Sequence, residues 1–131
     1  MLFKKRMLLC RWHKCCVIIF FFLLSCRQSL PTFDEIDFEV WKRDKLACNG
    51  QRSQMSEAIE AQSEKLVALN EQEIISLLGK PDENELYKRN QKFYYYFLQP
   101  SSECAESAVE NPKKLVIRFN AVGLAKEVSV E

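Results

Sequence analysis

The apolar residues of this chain change their spacing at residues 79–81, Gly-Lys-Pro, and no other feature restricts the fold as strongly. Before this point they recur at the three-to-four-residue spacing of an α-helix, and after it they alternate as in a β-strand. A glycine just past a helix, with a proline two residues later, is a typical helix stop. Helices followed by consecutive strands predict an α+β domain in which the helices pack on an antiparallel sheet.

Two helices are predicted in the first part of the domain. The first lies within residues 33–48, where Asp34 or Asp37 is placed to cap it. The second spans about residues 53–69 and carries one apolar stripe at helical spacing. That stripe comprises Met55, Ile59, Leu66 and Leu69. Core packing explains the stripe, so we do not interpret it as a binding site.

The third predicted helix begins at a capping box, which is the best-specified local structure in the chain. The Asn70 side chain is placed to accept a hydrogen bond from the backbone while Glu73 reaches back to the backbone of Asn70. Gly79 and Pro81 end this helix. Its apolar face comprises Ile74, Ile75, Leu77 and Leu78.

Strands are predicted at residues 93–98, 115–120 and 124–130, with residues 85–88 as a candidate additional strand. The strand at residues 93–98 is aromatic on both faces. One face holds Phe93, Tyr95 and Phe97, and the other holds Tyr94, Tyr96 and Leu98. The next two strands carry inward sets consisting of Leu115, Ile117 and Phe119, and of Leu124, Val128 and Val130. We therefore expect a two-layer sandwich of two to three helices on a sheet of three or four antiparallel strands.

Residues 1–25 are predicted to be a signal peptide that precedes the domain. They contain five Lys or Arg and no Asp or Glu, and an apolar run of 11 residues fills positions 15–25. A membrane-spanning helix needs roughly 20 apolar residues, whereas a signal-peptide core needs far fewer. A buried core helix is the alternative, although it would place five cations beside an apolar interior. Met7 is an alternative start that leaves a shorter signal.

The sequence Leu23-Leu24-Ser25-Cys26 resembles a lipobox, the pattern that bacterial lipoprotein processing recognises. The resemblance implies cleavage between Ser25 and Cys26 and a diacylglycerol on the Cys26 thiol. Ordinary signal cleavage, with Cys26 left as a free or disulfide-bonded thiol, is the alternative. Residues 26–32 are then a tether, and residues 33–131 form a single domain. Residues 27 and 28 lack the Asp that, by resemblance to other lipoproteins, retains them in the inner membrane, so we expect the outer membrane.

Only two of the six cysteines remain for a disulfide once the signal is removed and Cys26 is lipidated. An even pair in an oxidising compartment predicts one bridge, between Cys48 and Cys104. Closing a loop of roughly 57 residues corresponds to about 4 kcal/mol in the chain-entropy model. A metal or catalytic thiol pair is the alternative, but these cysteines lack the close spacing of zinc ligands, and the only His is His13.

The charge and composition of the domain argue against several function classes. Removing the five basic residues of the signal from 19 leaves 14, against 18 acidic residues, so the net charge is about −4. Such a domain lacks the basic surface that binds nucleic acid. No His follows residue 25, and the three glycines belong to turns or caps and form no phosphate loop. We expect no enzyme activity, no cofactor, no metal and no small-molecule substrate.

Three motifs resemble the SmpA/OmlA/BamE-type family of outer-membrane lipoproteins. They are Leu77-Leu78-Gly79-Lys80-Pro81, the aromatic segment 93–97, and the strand–turn–strand segment from Leu115 to Val128. The resemblance covers about residues 70–130. It implies two helices on a three-stranded antiparallel sheet, as in the β-lactamase-inhibitor-like fold, and a non-catalytic role in β-barrel assembly. Residues 41–52 and the helix after them depart from the typical short member, so the assembly role rests on analogy.

Two functions remain. The first is a membrane-anchored binding or scaffold subunit of the bacterial envelope that faces the periplasm and holds an envelope protein, in outer-membrane protein assembly or envelope maintenance. Its candidate contact residues are Tyr94 and Tyr96, on the condition that their face of the strand is exposed. The alternative is an inhibitor-like module that blocks a periplasmic enzyme. A protruding loop at residues 100–112 would favour that alternative.

Overall fold

A computed structural model describes residues 29–131 of the protein. The predicted signal peptide, its cleavage site and the lipidation site at Cys26 lie outside the described residues. Within the described part of the chain, no helix is both long enough and apolar enough to cross a membrane.

The described chain contains four helices and then a four-stranded antiparallel sheet. The helices are α1 (Phe38–Arg43), α2 (Gln51–Gln54), α3 (Ser56–Ala61) and α4 (Glu71–Leu78). Short 3₁₀ turns lie at Lys45–Ala47, Ser63–Leu66 and Lys88–Asn90. The strands are β1 (Glu83–Tyr87), β2 (Gln91–Phe97), β3 (Lys114–Phe119) and β4 (Ala125–Val130). They pair in sequence order as a meander, so the predicted α+β class is confirmed, with four strands. The described residues form four short helices, whereas two to three were predicted.

The predicted capping residues start the helices that they were expected to start. The Asp37 carboxylate accepts hydrogen bonds from the backbone amides of Glu39 and Val40 in the first turn of α1. At α4, Asn70 accepts from the amide of Glu73 at 3.0 Å, and the Glu73 carboxylate accepts from the amide of Asn70 at 2.8 Å. Gly79 follows α4 with a φ of +80°, a conformation that favours glycine.

The predicted continuous helix at residues 53–69 is wrong, because this segment consists of two short helices and a 3₁₀ turn. The helical path is interrupted at Met55 and Gln62. The Gln62 side chain accepts a hydrogen bond from the amide of Asp34 and donates one to the carbonyl of the same residue. These contacts hold the segment against the chain that precedes α1. Tertiary contacts therefore override the local helical pattern.

One face of the sheet shares a hydrophobic core with the helices. The buried side chains of this core include Trp41, Ile59, Leu66, Ile74 and Leu78 from the helical part and Tyr96, Leu98, Leu115, Ile117 and Phe119 from the sheet. Leu115, Ile117 and Phe119 point inward, as predicted. We call this side of the sheet the inner face and the opposite side the outer face.

The inward set predicted for the last strand is correct for Val128 and Val130 but wrong for Leu124. Val128 and Val130 pack against the core. The register between β3 and β4 shifts by one residue next to Phe119, whose partner is Ala125. Ala125 is therefore buried opposite Phe119, and Leu124 remains 38% exposed. A bulge of this kind moves side chains to the other face of a strand.

Candidate functional site

Tyr94 and Tyr96 lie on the inner face and are not surface contacts. Tyr94 pairs with Ile117 and Tyr96 pairs with Leu115, and residues that pair directly share one face of a sheet. Tyr94 is 5% exposed and Tyr96 is fully buried. The condition for their predicted contact role is therefore not met. The helices that pack against them account for the burial.

The hydroxyl groups of both tyrosines are bound inside the domain. The Tyr96 hydroxyl donates to the carbonyl of Gly79 at 2.9 Å. The Tyr94 hydroxyl donates to the Glu71 carboxylate at 2.7 Å, and the Lys92 ammonium donates to the same oxygen at 2.7 Å. Burial, and then the Glu71 carboxylate, raise the pKa of Tyr94 to about 12. The Lys92 ammonium lowers the pKa of Glu71 below its usual value.

The outer face carries the second aromatic row of the sheet, which we call the aromatic strip: Tyr87, Phe93, Tyr95 and Phe97. The ring centroids of Tyr87 and Phe93 are 6.3 Å apart in an edge-to-face arrangement, and those of Phe93 and Tyr95 are 6.3 Å apart with nearly parallel planes. Phe93 and Tyr95 are partly exposed and Tyr87 is 54% exposed. The strip therefore presents stacked aromatic rings at the surface of the domain.

Charged side chains border the aromatic strip and hold it in place. The Tyr95 hydroxyl donates to the Glu85 carboxylate at 3.0 Å. The Lys114 ammonium forms an ion pair with Glu83 at 3.0 Å and lies 4.7 Å from the ring centroid of Phe97. Burial, followed by the Glu85 carboxylate, raises the pKa of Tyr95. Phe97 is only 5% exposed, so Phe93 and Tyr95 are the accessible members of the strip on β2.

An open groove of about 560 Å³ lies between the aromatic strip and the loop at residues 98–113. Its lining combines apolar, polar and charged groups. The sheet contributes Tyr95, Lys114 and Val116, the loop contributes Ser102 and residues 109–112, and Glu131 follows the last strand. Aromatic and aliphatic surface with a few charged groups around it is the composition of protein-binding surfaces.

The loop that borders this groove is fastened to the helical part of the domain. Cys48 and Cys104 form the predicted disulfide, with a Cα–Cα distance of 5.4 Å. The backbone amide of Ser101 also donates to the carbonyl of Leu46 at 3.0 Å. Cys104 and Ser101 are buried, while residues 105–111 are exposed. The loop is therefore fixed at its base, and one wall of the groove is fixed with it.

A buried ion pair holds the end of β2 next to the helices. The Arg52 guanidinium contacts the Asp82 carboxylate at 2.5 Å, and their side chains are 1% and 3% exposed. Asp82 also accepts from the amides of Leu46 and Phe97, at 3.1 and 2.9 Å. The guanidinium carbon lies 4.9 Å from the ring centroid of Trp41. This network fixes the position of Phe97 and therefore of the strip.

Neither the aromatic strip nor the buried ion pair was predicted as a site. Thirty residues separate Arg52 from Asp82, and no local pattern relates them. The two faces of β2 have nearly equal aromatic content, so the sequence of β2 does not show which face is outward. The inward residues of β3 do contain that signal, since pairing Tyr96 with Leu115 assigns the faces.

Comparisons with protein-family models, with curated proteins and with solved structures found no match for this chain. Among residues 29–131, no three His, Cys, Asp or Glu side chains are grouped so that they could hold a metal ion.

Proposed function

We propose that this protein is a lipid-anchored, non-catalytic subunit of the bacterial envelope that binds a protein partner on the outer face of its sheet. The helices and the sheet act as the two layers of a sandwich, and the layer of helices leaves the outer face open. The predicted signal peptide and the lipid on Cys26 hold the domain at the outer membrane, facing the periplasm. The resemblance to SmpA/OmlA/BamE-type lipoproteins supports a role in outer-membrane protein assembly or envelope maintenance.

The observation that carries the binding proposal is the partly exposed aromatic pair Phe93 and Tyr95 beside the groove. Tyrosine and phenylalanine are enriched at protein interfaces because a large rigid ring gives much contact area for little loss of conformational freedom. The Tyr95 hydroxyl is held by Glu85, so the ring is already oriented before a partner binds. Preorganisation of this kind lowers the entropic cost of association.

The charges around the strip favour a partner segment that combines apolar and polar groups. On β1, Glu83 lies beside Tyr95 and Glu85 beside Phe93; on β3, Lys114 lies beside Phe97, and Glu131 lines the groove. Such alternating charges select for orientation and register more than for affinity. The groove between them gives room for side chains of the partner.

A site-specific crosslinking experiment tests this function. A photoreactive amino acid replaces Tyr95 in the full chain, and the matched control carries it at Glu60, an exposed position of α3. We expect an envelope protein to be crosslinked from Tyr95 and not from Glu60. The same products at both positions, or none from Tyr95, would contradict binding through the outer face.

The location is tested separately by Cys26→Ala, which removes the thiol that carries the lipid. We expect this variant to leave the membrane fraction, while a Cys48→Ala and Cys104→Ala double variant stays there. Membrane association that persists in Cys26→Ala would refute the lipid anchor. The result is independent of whether the outer face binds a partner.

A further inference from the structure

The exposed apolar side chains of this domain are concentrated at one end of the sheet. Lys92 pairs with Phe119, so the turn between β1 and β2 and the turn between β3 and β4 lie at the same end, which we call the turn end. Val122 is 78% exposed in the second of these turns, and Leu86 is 73% exposed beside the first. Tyr87 and Leu124 add further exposed apolar surface there.

The opposite end of the sheet differs in this respect. It carries the loop at residues 98–113, where Val109, at 36%, is the one exposed large apolar side chain among the described residues. An apolar surface that collects at one end of a domain marks a region that contacts a membrane or another protein.

The tether reaches the domain beside the turn end. The Lys65 ammonium donates to the carbonyl of Thr32 at 2.8 Å. Three residues further on, the amide of Ala68 donates to the carbonyl of Ala125 at 2.8 Å, which places this segment against the start of β4. Val67, which lies between these two contacts, is 41% exposed. The chain therefore enters the domain close to the exposed apolar residues.

The length of the tether limits how far this end can lie from the lipid. Thr32 lies six positions after Cys26, and a fully extended chain spans about 3.3 Å per residue. The tether thus covers at most about 20 Å, which is less than the thickness of the hydrocarbon core of a bilayer.

The charge of the turn end is suited to an anionic surface. Lys88 and Arg89 are exposed in the turn between β1 and β2, and Lys126 is exposed at the start of β4. Two carboxylates near this end are already paired, Glu71 with Lys92 and Glu127 with Arg118. Basic side chains near an anionic leaflet are attracted to its surface.

We propose that the turn end rests on the bilayer surface, with Val122, Leu86 and Tyr87 in the interface and Lys88 and Arg89 at the lipid headgroups. This contact rests on the proposed lipid anchor, because the short tether keeps the turn end close to the membrane. Apolar side chains with basic neighbours are the composition of interfacial membrane contacts. The strands then point away from the bilayer, and the outer face lies sideways, open to a partner.

A quenching experiment on the anchored protein tests this orientation. The full chain is produced in bacteria with Val122→Cys, and the lipoprotein is labelled with an environment-sensitive fluorophore. It is then reconstituted into vesicles of phosphatidylethanolamine and cardiolipin with brominated acyl chains. The matched control is Lys113→Cys, an exposed position at the opposite end of β3. Protein without an added Cys gives the background labelling.

We expect the bromine atoms to quench the probe at position 122 at least about twofold more than the probe at position 113, since interfacial contacts insert only to the headgroup boundary. Equal quenching at both positions, in protein that floats with the vesicles, would overturn the orientation and leave the anchor intact. Protein that does not float with the vesicles would refute the anchor, and the orientation with it.

Discussion

The two faces of β2 carry almost the same aromatic side chains but have opposite surroundings. On the inner face, Tyr94 and Tyr96 are enclosed by the helices, and their hydroxyl groups bind Glu71 and the carbonyl of Gly79. On the outer face, Phe93 and Tyr95 stack on each other and stay partly exposed. Identical residue types therefore contribute to stability on one face and are available for binding on the other.

The difference comes from the partners of β2 and from nothing in β2 itself. One face of β3 packs on the core through Leu115, Ile117 and Phe119. Because Tyr94 and Tyr96 pair with residues of this face, they are buried with it. The outer face of β3 bears Lys114 and Arg118 in the same rows as Phe97 and Phe93. A shift of the register by one residue would move each tyrosine to the other face of the sheet, so that a buried tyrosine would become exposed.

The largest loss in the free energy of unfolding is expected when the buried ion pair is broken, and the exposed ion pair of the outer face gives the comparison. Asp82→Ala leaves the buried Arg52 guanidinium unpaired and removes the acceptor of two backbone amides, so we expect a loss of about 5 kcal/mol in the free energy of unfolding. The matched change on the outer face is Glu127→Ala, which breaks a solvent-exposed pair with Arg118 and costs about 1 kcal/mol or less. Urea denaturation compares the two variants. Equal losses would contradict the assignment of stability to the inner side.

The tyrosines give the next comparison. Tyr96→Ala opens a cavity in the core and is expected to lower the free energy of unfolding by about 4 kcal/mol, whereas Tyr95→Ala costs about 1 kcal/mol. Tyr95→Ala should instead abolish co-purification of the partner that the crosslinking experiment identifies. Denaturation and co-purification are measured on both variants. A Tyr95→Ala protein that keeps its partner would show that the outer face is not the binding surface.

The disulfide connects the two sides, because it joins the helical part to the loop that borders the groove. Replacing both Cys48 and Cys104 with Ala is expected to cost about 3 kcal/mol, since the bridge restricts a long loop in the unfolded chain. The loop wall should also loosen, so we expect the double variant to bind the partner more weakly. Thermal unfolding in oxidised and reduced samples measures the first effect. An unchanged transition on reduction would show that the bridge does not hold the loop.

Features with a local physical cause were predictable from the sequence. The capping box at Asn70 and Glu73 satisfies backbone amides within one turn, so its four residues specify it completely. The same holds for the helix stop at Gly79 and for the alternation of Leu115, Ile117 and Phe119. The pair Cys48 and Cys104 followed from counting cysteines and not from distance.

Features that depend on distant partners were not predictable in the same way. The break at Gln62 needs Asp34, which lies 28 residues away, and the burial of Arg52 needs Asp82. The register shift beside Phe119 exchanges Leu124 for Ala125 at the core, although leucine is the more apolar residue. The orientation of the tyrosines needs the pairing with β3. Each of these outcomes is set by tertiary structure, which a single window of sequence does not contain.

The smallest effect is the pH dependence that the inner tyrosine adds. The pKa of Tyr94 rises from 10.0 to about 12 in the folded protein, so between these values the folded state keeps a proton that the unfolded state has lost. The stability that the raised pKa of Tyr94 contributes is therefore fully present below pH 10 and is lost as the pH rises toward 12. We expect Tyr94→Phe to lose less stability than the parent protein over this interval. Urea denaturation at about pH 9 and about pH 11 measures the difference, and equal losses would show that folding does not raise the pKa of Tyr94.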